Sequence, residues 1–183
     1  MLQENNMKKV QFGAGSLHIE GFENYDSEAQ ADITKPLNFE SDSVDLIYAE
    51  MVVEHITHKE AWQFFEECHR ILLPGGLMRV VVPDFVRVWK LKNPEWLRVN
   101  RDVTNNNGTL KDQMKSIIYG HGHQAAWSSE LLKSFLEAVE FRNVEVCEAM
   151  QSSRPELRNM EQHYRSVGIE VAWSESGCVD AEK

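Results

Sequence analysis

The chain has 183 residues, 42% of them hydrophobic and 26% charged, which is the profile of one globular domain able to bury a core without crosslinks. A net charge of −10 argues against a nucleic-acid backbone as partner, because phosphate binding needs clustered Lys and Arg. Cys68, Cys147 and Cys178 are widely spaced, no apolar run is long enough to span a membrane, and Met1–Asn6 is too polar for a signal peptide. The expectation is a cytoplasmic protein in a reduced setting, with no structural zinc, no membrane contact, and a small or neutral substrate.

Val10-Gln11-Phe12-Gly13-Ala14-Gly15-Ser16 reads as a short strand (8–12) running into Gly-x-Gly. Glycine reaches φ > 0 there and lets a ligand approach the backbone, although such a turn alone requires no ligand. A second short strand is expected over 22–26, with only Ser16–Gly21 between. A regular parallel crossover takes about ten to twelve residues, so its helix is missing or reduced to a turn. That disfavours a pyrophosphate cradle, which needs the helix N-terminus and an acidic residue about 20 positions on. Asp26 comes only eleven positions after Gly15 (26 − 15). A cofactor with a ribose and no phosphate fits better, with Asp26 accepting both ribose hydroxyls. The alternative is that Asp26 caps the turn Asp26-Ser27-Glu28.

Gln30–Ile33 reads as a third short strand, Pro36 stops regular structure, and Val44–Ala49 is a buried strand. Ligands bind at strand ends in open α/β sheets, so Ala49, Glu50 and Met51 are candidates to line a site. Glu54 and His55 could supply acid–base chemistry. Consecutive helical residues point about 100° apart, which favours a structural role for His55. Thr57-His58-Lys59-Glu60 is a capping box, and Ala61, Phe64, Phe65, Cys68, Ile71 and Leu72 form one helical face. Leu73-Pro74-Gly75-Gly76 ends that helix, and Leu77–Val82 is another buried strand, closed by Pro83-Asp84.

Residues 84–97 read as helical, with Trp89 and Trp96 as apolar anchors and Pro94 as an interruption. Residues 98–108 are the stretch expected to be least ordered, and 110–119 form a short helix. In Gly120-His121-Gly122-His123, two histidines one residue apart invite a metal, but no third ligand follows at helical or Cys/His spacing. The expectation is therefore no metal, and a loop that delivers His123 into a site. Ser128 caps a helix with Leu131, Leu132, Phe135, Leu136 and Val139 on one face. Strands at 144–147 and 178–181 flank the short helix after Ser152-Ser153-Arg154-Pro155. The element order gives a mostly parallel, three-layer α/β sheet in a single domain over 1–183.

Five segments then occur in a telling order: Phe12-Gly13-Ala14-Gly15, Asp32 to Phe39, Ser43-Val44-Asp45, Glu54-His55-Ile56, and Arg70 to Gly76. With Gly122-His123-Gln124 and Ser153 to Leu157, the chain resembles the class I S-adenosylmethionine-dependent methyltransferases, within them the small bacterial type 11 group. The resemblance implies a Rossmann-like methyltransferase fold with an antiparallel closing strand. It also implies the cofactor S-adenosylmethionine, with Phe12, Gly13, Ala14 and Gly15 along its amino-acid portion. Asp26 would hold the ribose, Asp32 and Ile33 would lie beside the adenine, and Ala49, Glu50 and Met51 would flank the sulfonium. Residues 84–127 would cover the acceptor side. Three departures stand out: Gln11-Phe12 before the glycines, Met51 where the family commonly has histidine, and Glu140 where a glycine is usual.

Methyl transfer from a sulfonium is an in-line displacement in which the protein mainly positions the nucleophile and excludes water. A hydroxyl acceptor calls for a base, and His123 and His55 are the candidates, with Glu54 beside them. The expected function is methyl transfer to a small-molecule or sugar-type acceptor. Two rivals stay open: a cofactor-binding protein that has lost catalysis, and a nicotinamide dehydrogenase, which requires a phosphate-binding helix after Gly15.

Overall fold

The computed structural model describes residues 7–26, 31–104 and 109–183. Strands β1 (Lys9–Phe12), β2 (Glu23–Tyr25), β3 (Val44–Glu50), β4 (Leu72–Pro83), β5 (Arg142–Cys147) and β6 (Ser176–Glu182) form one sheet, in spatial order β2-β1-β3-β4-β6-β5. β1 pairs in parallel with β2 and β3, and β3 with β4. β6 runs antiparallel to both β4 and β5, which makes it the reversed closing strand. The carboxyl ends of β1, β3 and β4 therefore share one edge, where an open α/β sheet takes its ligand.

Local chemistry fixes the helix that supports this edge. Helix α1 (His58–Ile71) starts at Thr57, which bonds the Glu60 amide while the Glu60 carboxylate accepts from the Thr57 amide at 2.8 Å. Its buried stripe of Ala61, Phe64, Phe65, Cys68 and Ile71 packs on the sheet beside Val10, Phe12, Ala49 and Val80. Burying such apolar side chains contributes about 1.5–3 kcal/mol each. The opposite face, with Leu46, Tyr48, Val81 and Cys178, is covered by Ala149, Leu157 and Met160. Arg79 holds that covering segment down. It is fully buried, donates to Glu161 Oε1 at 2.8 and 2.5 Å and to Asp180 Oδ1 at 2.8 Å, and reaches the Gln151 carbonyl at 3.1 Å.

A helical cap rises from the carboxyl ends of β4 and β6's neighbours. It consists of α2 (Phe85–Leu91), α3 (Pro94–Thr104), α4 (Leu110–Tyr119), and, after α5 (Ser129–Ala138), the short α6 (Tyr164–Val167) and α7 (Ile169–Glu175). Val88, Trp96, Ile117 and Val171 form its own small core. Asp84 joins cap to sheet, since its carboxylate accepts from the Arg87 amide and from both the amide and hydroxyl of Ser129.

Three expectations need correction. Ala31–Ile33 is not a strand, because the Asp32 carboxylate accepts from the Thr34 amide (3.0 Å) and hydroxyl (2.6 Å) and turns the chain; Gln30 lies outside the described residues. Trp89 is no anchor: it is 54% exposed with the Lys92 ammonium over its ring, while Trp96 is buried. Residues 98–104 are helical rather than irregular, because Asn93 caps α3 through the Glu95 and Trp96 amides ahead of Pro94. Residues 105–108 lie outside the described residues.

Candidate functional site

No helix stands between β1 and β2. The crossover is a turn, with the Leu17 amide on the Ala14 carbonyl (2.7 Å), and two side chains brace it. Gln11 donates to the Leu17 carbonyl (3.0 Å) and accepts from the Ile19 amide (3.1 Å), while Asn24 accepts from the same amide and donates to the Ile19 and Phe22 carbonyls. Without a helix N-terminus here, the dehydrogenase reading loses its phosphate site. Gln11, a departure from the pattern that the resemblance implies, serves as a brace.

Gly13 and Gly15 have φ +71 and +51. A Cβ on Gly13 would meet Val52 Cβ at 2.6 Å, whereas one on Gly15 would meet nothing within 4 Å. Gly13 is thus required by packing and backbone together, while Gly15 borders open space. Two cavities meet at Gly13. One runs along Gln11, Ala14, Gly15, Glu50 and Met51, and the other along Tyr25, Asp26, Asp32, Ile33 and Val52. Among the described residues neither lining contains Lys or Arg, and both contain carboxylates. That donor set suits a sulfonium and a ribose and leaves a pyrophosphate without a counter-charge.

Of the residues expected along the cofactor, Gly13, Ala14, Gly15, Asp26, Asp32, Ile33, Glu50 and Met51 line these cavities. Phe12 and Ala49 do not. Both are fully buried in the core, Phe12 edge-on to Phe64 with ring centroids 5.3 Å apart, because alternate residues of a strand face opposite sides of the sheet. The Asp32 carboxylate is also engaged by Lys35 at 2.6 Å, and the Lys35 and Thr34 bonds lower its pKa to about 2. Glu50 accepts from the Gln162 (2.8 Å) and His163 (3.1 Å) amides, and its pKa is raised by burial despite those bonds.

Next to Met51 lies a third cavity of about 260 Å³, walled by Val99, Ile117 and Val171 and carrying Glu54, His55, His121, His123, His163 and Glu175. Glu54 and His55 sit on a 3-10 turn (Val53–His55) that follows β3. Loop 120–125 is stapled to that turn. The Gln124 and Ala125 amides donate to the Glu54 carbonyl (2.8 and 3.2 Å), and the Gln124 side chain donates to the His55 carbonyl (2.7 Å). His123 and His55, the two expected bases, are thereby brought edge to face with ring centroids 4.9 Å apart. Both imidazoles have lowered pKa values, chiefly through burial, so they are neutral at pH 7 and able to accept a proton. Glu54 is 1% exposed, and its pKa is raised to about 8 by burial and by the charges of Glu175 and Glu50.

Sequence spacing offers no third ligand beside His121 and His123, but the fold brings other donors to His123 from a distant segment. Glu54, His55 and His123 each place a ligand atom within 4.8 Å of the others. Sequence reasoning also missed His163 and Glu175. His163 Nε2 lies 2.8 Å from Glu175 Oε1, and Trp96 Nε1 donates to Glu175 Oε2 at 2.5 Å. Burial disfavours the His163 charge, but the Glu175 bond and charge outweigh it and raise its pKa. Neither residue lies in a periodic or glycine-marked stretch, so the sequence carries no signal for them.

An open, mostly parallel sheet with one reversed strand and cavities along the first glycine loop is the class I methyltransferase architecture. Residues 8–80 match the family model of the type 11 methyltransferases, described as a methyltransferase domain. No curated protein matches the chain by sequence. Among solved structures, it is similar to a SAM-dependent methyltransferase from Archaeoglobus fulgidus (14% identity, 97% of this chain and 86% of that one, TM-score 0.56). A Mesorhizobium loti S-adenosylmethionine-dependent methyltransferase gives 15% identity over 97% and 91%, with TM-score 0.56. A Haemonchus contortus phosphoethanolamine N-methyltransferase in complex with S-adenosyl-L-methionine gives 13% identity over 97% of this chain and 48% of its own, with TM-score 0.55.

Proposed function

We propose that this protein transfers a methyl group from S-adenosylmethionine to a small-molecule or sugar-type acceptor. The observation that carries the reading is that three neighbouring cavities share lining residues. Gly13 is shared by the two along the glycine loop, and Met51 and His163 are shared by the methionine-side cavity and the acceptor cavity. A cofactor with adenosine against Asp26, Asp32 and Ile33 and its amino-acid portion along Gly13 to Gly15 turns its methyl toward Met51. The acceptor cavity, at about 260 Å³, lies just below the usual ligand-pocket range of roughly 300–1,000 Å³, which favours a small acceptor.

S-adenosylmethionine, when bound, supplies the electrophilic methyl group; the residues bind, orient and exclude water. Segment 84–127 contributes Val99, Ile117, His121 and His123 to the cavity wall, in keeping with a cover over the acceptor. Neutral His123 and His55 are placed to take a proton from an acceptor hydroxyl as its oxygen attacks. Calorimetry with S-adenosylmethionine and S-adenosylhomocysteine tests the premise, and absence of heat with either ends the reading. Asp26→Ala is expected to weaken binding by roughly 1–3 kcal/mol. Unchanged affinity in the folded variant removes Asp26 from the site. A screen of acceptors for S-adenosylhomocysteine release then separates an enzyme from a cofactor-binding protein that has lost catalysis.

A further inference from the structure

We propose that Glu54, His55 and His123 bind one divalent transition-metal ion, of the zinc type, which takes an oxygen atom of the acceptor at its open position. Two imidazoles and one carboxylate are the donor set of zinc sites that keep a coordination position free. One donor atom from each residue lies within 4.8 Å of the other two. Donors around a tetrahedral zinc stand about 3.3 Å apart, given bonds of about 2.0–2.1 Å. The gaps therefore close by about 1.5 Å at most, a side-chain adjustment.

Independent support comes from Glu54 itself. Both of its carboxylate oxygens are buried with no hydrogen-bond partner among the described residues, and the side chain lines the cavity. A carboxyl group buried with no hydrogen-bond partner is costly in either protonation state, and a cation taken up in exchange for its proton supplies the missing partner. The histidines are also set as ligands. His123 Nδ1 donates to the Ile117 carbonyl at 2.8 Å, which fixes the tautomer and leaves Nε2 with its lone pair. His55 presents Nε2 toward Glu54 Oε1, 4.0 Å away, with its Nδ1 beside Gly122. The staple between loop 120–125 and the Glu54 turn keeps all three together.

This inference rests on the methyl-transfer reading for the acceptor's role alone; the metal site stands on its own geometry. A ligating imidazole has no lone pair left for a proton, so the ion replaces the histidines as activator. An acceptor hydroxyl on the metal loses its proton to solvent. Its oxygen lone pair then forms the O–CH3 bond as the S–CH3 bond breaks, and that bond's electron pair returns to sulfur and neutralises the sulfonium.

The full chain, freed of metal with a chelator, is titrated with Zn2+ by calorimetry and with Co2+ by visible absorption. One equivalent is expected, with Co2+ bands of a low-coordinate nitrogen–oxygen site. Glu54→Gln, which keeps the shape, and His123→Ala are each expected to lose about 100-fold or more in affinity. Cys147→Ser should bind as the parent does, and circular dichroism verifies that each variant is folded. No uptake by the parent, or affinity that survives both ligand substitutions, overturns the proposal. S-adenosylmethionine is titrated into the same samples. Cofactor binding without metal uptake overturns this inference alone, whereas metal uptake without cofactor binding supports the site and removes the methyl-transfer reading.

Discussion

Gln11 and Asn24 face each other across the β1–β2 pair, and both side chains accept from the single amide of Ile19, each at 3.1 Å. In place of a crossover helix, two carboxamides shape the chain that borders the glycine-loop cavity. Gln11→Ala removes two of these bonds at a residue only 2% exposed. The expected cost is roughly 1–3 kcal/mol in stability, with S-adenosylmethionine affinity lowered about tenfold as Leu17 is released. Chemical denaturation and calorimetry on the variant check both figures. Full affinity would show that the cofactor does not depend on this brace.

The two glycines of the loop should respond differently to the same change. Gly13→Ala combines a positive φ with a 2.6 Å approach to Val52 Cβ, so it disturbs the Val52 turn and abolishes cofactor binding. Gly15→Ala meets no atom within 4 Å, and its cost is the left-handed backbone alone, about 1–2 kcal/mol. Thermal melts with and without S-adenosylmethionine distinguish the two. Equal destabilisation by both would mean that the Val52 contact relaxes freely.

What the sequence made legible follows from local rules. The strand ends at Phe12 and Glu50, the Thr57–Glu60 capping box and the helical face from Ala61 to Ile71 are each set by neighbours in the chain, and each formed close to its expected place. The strand expected over residues 30–33 gives way at Asp32 to an Asx turn, where one side-chain oxygen overrides strand propensity. The cavity that carries Glu54, His55 and His123 was legible only in part. His55 and His123 could be named singly, but their meeting with Glu54 depends on amides of Gln124 and Ala125 that reach the Glu54 carbonyl. Such backbone contacts leave no mark in residue identity.

Glu140 illustrates a departure whose consequence is visible. It sits at φ 72 after α5, where the resemblance implies a glycine, and its amide bonds the Glu137 carbonyl while Phe141 turns into the core. A non-glycine residue in this region costs about 1–2 kcal/mol. Glu140→Gly is therefore expected to raise stability by about 1 kcal/mol despite the entropy glycine adds to the unfolded chain. Urea denaturation reads this directly, and a destabilised variant would mean that the Glu140 side chain contributes more than its backbone conformation costs.

Arg79 should be the residue whose loss the fold tolerates least. It is the shared partner of Glu161 and Asp180 on the sheet face covered by the segment after β5. Arg79→Ala leaves two buried carboxylates facing each other's field, with an expected loss of about 3–5 kcal/mol. The covering segment carries Gln162 and His163, whose amides hold Glu50, so the cavity along the glycine loop should loosen with it. Denaturant midpoints and protease sensitivity after residue 147 give the readout. An ordinary surface-sized loss would show that water reaches these carboxylates.

The His163–Glu175 pair carries a pH signature. The folded-state pKa of His163 is raised above its ordinary value of 6.5 because the Glu175 bond and charge outweigh burial. A group with a raised folded pKa binds its proton more tightly in the native state. Its stabilisation is fully present below pH 6.5 and is lost as pH rises through the folded pKa. A double-mutant cycle with His163→Gln and Glu175→Gln is expected to give a coupling of about 1.5 kcal/mol at low pH, the scale for a hydrogen bond to a charged group. At alkaline pH the histidine is neutral and the coupling should fall well below that, while Trp96 keeps its bond to the other Glu175 oxygen. A coupling that does not change between pH 5.5 and 9 would mean that the pair is held as a neutral hydrogen bond throughout.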